Sequence, residues 1–237
     1  MTRAWFTAAA LGAYFVFLPW PVGCGPPADT ARYDGGISAE ANRAFFARTQ
    51  SARIRRLAID SAGGEVEAGI ELGRWVFANG LDVEVTGRCL SSCANYVFPA
   101  GRHKRVADGA IVAWHGSYQH LLETGLWRDD VAARIARTGE APEVAEQNAR
   151  ARTEHLVALE HAFFREIGVD PLLCWIGKRA PYAVPDYFML SAADLAKFNV
   201  HNVEIPPGYG EIPPARFDID VRLIRLDDTL PGAIGAP

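Results

Sequence analysis

Residues 57–117 read LAIDSAGGEVEAGIELGRWVFANGLDVEVTGRCLSSCANYVFPAGRHKRVADGAIVAWHGS. Three short apolar runs, each strand-like in length and β-branching, end in three chemically loaded turns. Leu57, Ala58 and Ile59 lead into Ser61-Ala62-Gly63-Gly64. Val83, Glu84 and Val85 lead into Gly87-Arg88-Cys89-Leu90-Ser91-Ser92-Cys93, and the run from Ile111 to Trp114 leads into His115-Gly116. After Gly64 the pattern turns helical: Val66, Ile70, Trp75 and Phe77 make an apolar face, and Asn79-Gly80 supplies a stop. A second helix is expected from about Ser92 to Ala100, ended by Gly101. Strand, helix, strand, helix, strand in such short order implies parallel pairing through right-handed crossovers, an α/β fold. All three turns then leave the same edge of the sheet, where the sites of α/β proteins lie.

The turns carry the parts of an acyl-transfer site, each with a plainer alternative. Gly63-Gly64 leaves backbone N–H groups bare for an oxyanion, or is simply a tight turn. Ser91 or Ser92 opens a helix, as a nucleophile or as an N-cap. His115 ends an apolar strand, as a general base or as a structural histidine. No His or Cys pair has the second half of a zinc pattern, so neither a metal nor a cofactor is expected.

Composition narrows the class. The chain has 237 residues, 49% of them hydrophobic, which suits one globular domain with a leader. Its net charge of −4 points away from nucleic acid and anionic membrane surfaces. Arg3 precedes an uncharged run from Ala4 to Pro19, about 16 residues long, where a spanning helix needs roughly 20. Residues 1–27 therefore read as a secretory signal peptide, with an uncleaved membrane anchor as the alternative. Val22-Gly23-Cys24 resembles the end of a lipoprotein cleavage box, with Pro21 where leucine is usual, so lipidation of Cys24 is a further alternative. Either way the domain is expected outside the cytoplasm, periplasmic or exported, where disulfides persist. Cys89 with Cys93 is one pairing and Cys89 with Cys174 the competing one.

The rest of the chain supports this core. Ser38 with Ala41, Phe45 and Phe46 predicts an N-capped amphipathic helix. Residues 119–165 read as a helical insertion, whose second helix carries Leu156, Leu159, Phe163 and Phe164 as its apolar stripe. Ser191 followed by Asp194 is a helix-start signature. The segment FDIDVRLIRL alternates as a last strand, the domain spans 28–228, and 229–237 read as a flexible tail.

At this point the chain resembles the proteolytic subunit of the Clp protease. IDSAGGEVEAGIELGRWV resembles that family's strand–SPGG–helix segment, CLSSCANYVFPAG its nucleophile helix and AIVAWHGS its histidine strand. ARYDGGISAEANRAF resembles its opening strand and helix, and VPDYFMLSAADLAKFNVHNV its closing segment. The resemblance covers about residues 33 to 203 and is nearest to exported, Clp-like members with cysteines around the serine. It implies the ClpP/crotonase-like spiral of βαβ units. It also implies a Ser92–His115–Asp186 triad, with Ser91 the alternative nucleophile and Asp170 the alternative acid. Gly64 N–H and Cys93 N–H would form the oxyanion hole. Ser91 keeps a Gly-x-x-x-Ser spacing from Gly87 and sits midway between Cys89 and Cys93, whereas Ser92 places Ala94, Tyr96, Val97 and Gly101 where the family has small, aromatic, aliphatic and glycine positions. The departures are SAGG for SPGG, a longer interval from His115 to Asp186, and Pro99, which is expected to end the nucleophile helix early. The function implied is an exported serine peptidase acting on peptide or protein, as a homo-oligomer, with a possible membrane tether through its N-terminus. The alternatives are a non-catalytic binding or assembly protein and a crotonase-type thioester hydratase or isomerase.

Overall fold

The computed structural model describes residues 29–211 and 217–227. The signal-peptide, Cys24 and tail readings lie outside the described residues. The chain opens with β1 (Thr30–Asp34), α1 (Ala39–Thr49), β2 (Arg56–Ser61), α2 (Val66–Ala78) and β3 (Asp82–Leu90). A π-turn at Cys93–Val97 runs into the short α3 (Phe98–Ala100), followed by β4 (Lys104–Val106) and β5 (Ile111–Ala113). Three helices follow, α4 (Tyr118–Thr124), α5 (Asp129–Thr138) and α6 (Pro142–Ile167). The chain closes with β6 (Tyr187–Leu190), α7 (Ala192–Ala196), β7 (Val203–Glu204) and β8 (Val221–Ile224).

The α/β class with a largely parallel sheet stands on these elements. Among the described residues β1, β2, β3, β4 and β7 pair in that order, all in parallel, and β5 joins β3. β3 is long enough to serve two neighbours in succession. Its first half pairs with β4 (Val83↔Lys104) and its second with β5 (Leu90↔Ala113). Ser61 is aligned with Cys89, so the ends of β2, β3 and β5 come level and their turns leave one edge. β6 and β8 pair separately, in parallel, and the bridge between Trp114 and Phe188 links them to the histidine strand.

β3 extends past Val85 to Leu90, through Gly87 and Arg88, which the sequence places in the turn. Asp60 supplies the reason. Its carboxylate accepts from Arg88 N–H at 3.0 Å and occupies the space where a side chain at position 87 would project. Glycine there lets the strand run on beside that carboxylate.

The core lies between this sheet and α2, α6 and the helical segment 92–100, with Leu57, Ile59, Leu72, Val83, Val85, Tyr96 and Phe163 sealed from solvent. Each such aliphatic or aromatic side chain is worth about 1.5–3 kcal/mol on burial. Gly69 and Gly73, one turn apart on α2, let that helix press against Ser92 and Tyr96; a methyl at 69 would lie 2.8 Å from the Tyr96 ring. Pro99 does not end the helix early, as the sequence suggests: the helix runs on to Ala100 through a π-turn in which Phe98 N–H bonds Cys93 C=O five residues back. No described helix is long and apolar enough to cross a membrane.

Candidate active site

β3 hands over to the helical segment 92–100 through a single residue, Ser91. Its N–H bonds the Ala113 carbonyl at 3.3 Å, and its own carbonyl accepts from Asn95 N–H at 2.8 Å, starting the helix. Between these two bonds the backbone adopts φ +54°, the left-handed region, where a residue with a Cβ is strained by about 1–3 kcal/mol. A strained strand-to-helix turn of this kind pushes a hydroxyl out at the top of a sheet. Ser91 Oγ meets His115 Nε2 at 2.9 Å. With the imidazole proton on Nδ1, the hydroxyl donates and Nε2 accepts.

Ser92, favoured in the sequence reading, is not the serine that His115 meets. As the first helical residue it points back toward α2; it is 3% exposed, and its Oγ donates to the Gly64 carbonyl at 2.8 Å. The spacing from Gly87 and the position midway between two cysteines marked Ser91, and here they agree with the geometry.

The segment that follows β5 is clipped to the helical segment 92–100 at two points. Trp114 Nε1 donates to Ala94 C=O at 3.1 Å, and Asn95 Nδ2 donates to Gly116 C=O at 2.9 Å. The His115 ring lies over Tyr187 with centroids 4.7 Å apart. Its outer edge reaches solvent, yet the surrounding protein lowers its pKa below 6.5, chiefly by desolvation and then through the Lys178 charge; Asp186 pulls in the opposite direction. The imidazole is therefore biased toward the neutral form that a base requires.

Gly64 faces this pair from the end of β2. Ile37 N–H bonds Gly63 C=O and Glu65 N–H bonds Ile37 C=O, both at 2.9 Å, so the bridge straddles Gly64 and does not use its N–H. Gly63 backs directly onto the turn: a methyl there would lie 2.8 Å from Ser91 Cβ and 2.9 Å from Ser92 N. With Ser91 as the serine that meets His115, the residue after it is Ser92, so the candidate second oxyanion donor is Ser92 N–H rather than Cys93 N–H, the sequence expectation.

Asp186 and Asp170 separate clearly. Asp170 caps the short turn Pro171–Cys174, accepting from Leu172 N–H at 2.9 Å, and does not line the cleft. Asp186 does line it. Its carboxylate accepts from Asp220 N–H at 3.3 Å and acts on His115 through its field rather than through a hydrogen bond. Lys178, which sequence reasoning missed, holds the loop that carries Asp186: its ammonium donates to the carbonyls of Val184, Pro185 and Asp186.

Cys89 and Cys93 are joined in a disulfide that brackets Ser91, with Cα atoms 5.2 Å apart. Cys174 is a buried free thiol, so the Cys89–Cys174 pairing does not form. The cleft over the pair, about 620 Å³, is lined by Val66, Tyr118, Leu121, Leu126 and residues 183–186 among others. A groove of about 640 Å³ beside Phe46 and Trp75 has no histidine, cysteine or carboxylate in its lining. No cluster of three or more His, Cys, Asp or Glu that could hold a metal occurs among the described residues.

No protein-family model and no curated protein sequence matches this chain. Among solved structures, ClpP1 from Listeria monocytogenes is similar to it with a TM-score of 0.40 and 16% identity, over 75% of this chain and 91% of that one. A likeness at that level assigns no activity, so the functional reading comes from the site itself.

Proposed function

We propose that the chain is a serine hydrolase of the ClpP/crotonase-like class that cleaves peptide bonds through an acyl-enzyme. The observation that carries the reading is the 2.9 Å contact between Ser91 Oγ and His115 Nε2 at a strained strand-to-helix turn. Ser91 Oγ attacks the acyl carbon while its proton passes to His115 Nε2. The oxyanion is received by Gly64 N–H and Ser92 N–H. The imidazolium then protonates the departing amine, and water releases the acyl group by the reverse sequence. Asp186 is the acid of the site. Its negative field favours the imidazolium that forms as Ser91 gives up its proton. The Cys89–Cys93 disulfide supports an exported, oxidising location for this chemistry. The protein is further proposed to assemble with itself.

One observation favours a second reading, a binding module with a relic dyad: the Asp186 carboxylate is engaged with Asp220 N–H and not with His115. The thioester hydratase reading has less support, because Asp186 is the one carboxylate among the described residues lining the cleft. The test is incubation of the folded domain with a mixed fluorogenic peptide library and, in parallel, with an enoyl thioester. Peptide cleavage that is lost in His115→Ala supports the peptidase. Thioester turnover, or silence in both arms, overturns it.

A further inference from the structure

α6 carries a carboxylate where its apolar face should be. Glu160 is 1% exposed, buried more deeply than its neighbour Leu159. Burying a carboxylate is costly unless its oxygens are occupied. Here they are. Oε1 accepts from the Tyr96 hydroxyl at 2.6 Å and from Tyr118 N–H at 3.1 Å, and Oε2 accepts from Gln119 N–H at 3.1 Å. Tyr96 lies in the π-turn that follows Ser91, whereas Tyr118 and Gln119 follow His115 and open α4. Both Tyr96 and Tyr118 line the cleft. One side chain of the helical stretch 119–165 therefore holds the segments downstream of both members of the pair.

We infer that Glu160 is a positioning residue, which sets the approach of His115 to Ser91 by binding the segment after each to one carboxylate. The inference rests on the hydrolase reading and deepens it: α6 becomes a brace of the catalytic pair rather than packing alone. An amide cannot replace the carboxylate, because glutamine has one acceptor oxygen and turns an N–H toward one of the three donors. The freed segment then spends less time in the 2.9 Å contact.

The experiment is fluorophosphonate inactivation of the wild type, Glu160→Gln, Tyr96→Phe and Leu156→Ala, resolved into binding and bond-forming constants. Leu156 is a buried packing residue on the same helix and serves as the control for general loosening. A misplacement of about 1 Å can cost about 10²-fold. Glu160→Gln is expected to lower the bond-forming constant by about tenfold to 10²-fold with probe binding unchanged, Tyr96→Phe to lower it less, and Leu156→Ala to leave it unchanged. Should Glu160→Gln fail to fold, Tyr96→Phe decides: a slowed bond-forming step supports the inference and an unchanged one overturns it. Full-rate labelling of folded Glu160→Gln overturns it, as does equal slowing in Leu156→Ala. A folded wild type that takes no label overturns the hydrolase reading and this inference together, which separates that failure from the others.

Discussion

An alanine at position 64 should cost both stability and acylation rate, by amounts the geometry sets apart from those of an ordinary glycine replacement. Gly64 sits at φ +154°, and a Cβ there collides with the Ile37 carbonyl oxygen, a backbone atom that cannot swing aside. Relief requires opening the bridge, with its two hydrogen bonds Ile37 N–H to Gly63 C=O and Glu65 N–H to Ile37 C=O. The unfavourable backbone conformation costs about 1–3 kcal/mol. The two bonds contribute about 0.5–1.5 kcal/mol each. The expected loss is thus about 2–6 kcal/mol, a large share of the roughly 5–15 kcal/mol that holds a domain folded. Gly35 is the control: its φ is +102°, but a Cβ there meets nothing within 4 Å, so Gly35→Ala carries the backbone cost alone. Urea unfolding measures both. In the fraction of Gly64→Ala that remains folded, displacement of an oxyanion donor should slow acylation by about 10²–10³-fold. A Gly64→Ala protein no less stable than Gly35→Ala would refute the close approach. One that acylates at the wild-type rate would refute the donor assignment.

Lys178→Met removes a charge that lowers the His115 pKa, so the acidic limb of inactivation rate against pH should move to higher pH; Asp186→Asn removes the opposing charge and should move it to lower pH. Shifts in the same direction would contradict the site electrostatics. The Cys89–Cys93 disulfide closes a five-residue loop around Ser91, a constraint worth about 2 kcal/mol by loop entropy. Reduction should lower stability by about that much and slow labelling, and labelling at the same rate with and without reductant would show that the disulfide does not brace the turn. Buried Lys104 donates to His201 C=O, and burial depresses its pKa from 10.5 to about 8. Between those values the unfolded chain binds more protons than the folded one, so wild-type stability relative to Lys104→Met should rise from pH 8 to pH 10.5. A flat difference across that window would contradict the depressed value.

The legible part of this protein is the part with a local pattern. The strands at 56–61 and 111–113, the existence of α2 and the Ser38 cap declared themselves through β-branched apolar runs, helical spacing or a capping residue, but Phe77, read onto the apolar face of α2, is 42% exposed, and that helix buries Leu72 and Val76 instead. The choice between Ser91 and Ser92 did not. It depends on one backbone angle at Ser91, which adjacent serines of identical chemistry cannot signal. Lys178 acts through three loop carbonyls, and Asp186 is held by the N–H of a residue 34 positions away, so neither role leaves a local pattern. Glu160 left a trace, a carboxylate one turn after Leu156 on an otherwise apolar stripe. Recognising it required knowing that the helix N-terminus at Tyr118 lay against it.

The central claim is that Ser91, activated by His115, is the nucleophile. The direct measurement is to label the folded domain with a fluorophosphonate and map the adduct by peptide mass spectrometry, with Ser91→Ala, Ser92→Ala and His115→Ala alongside. The account predicts an adduct on Ser91 that disappears in Ser91→Ala and His115→Ala and persists in Ser92→Ala. An adduct on Ser92, or labelling that survives Ser91→Ala, would contradict it.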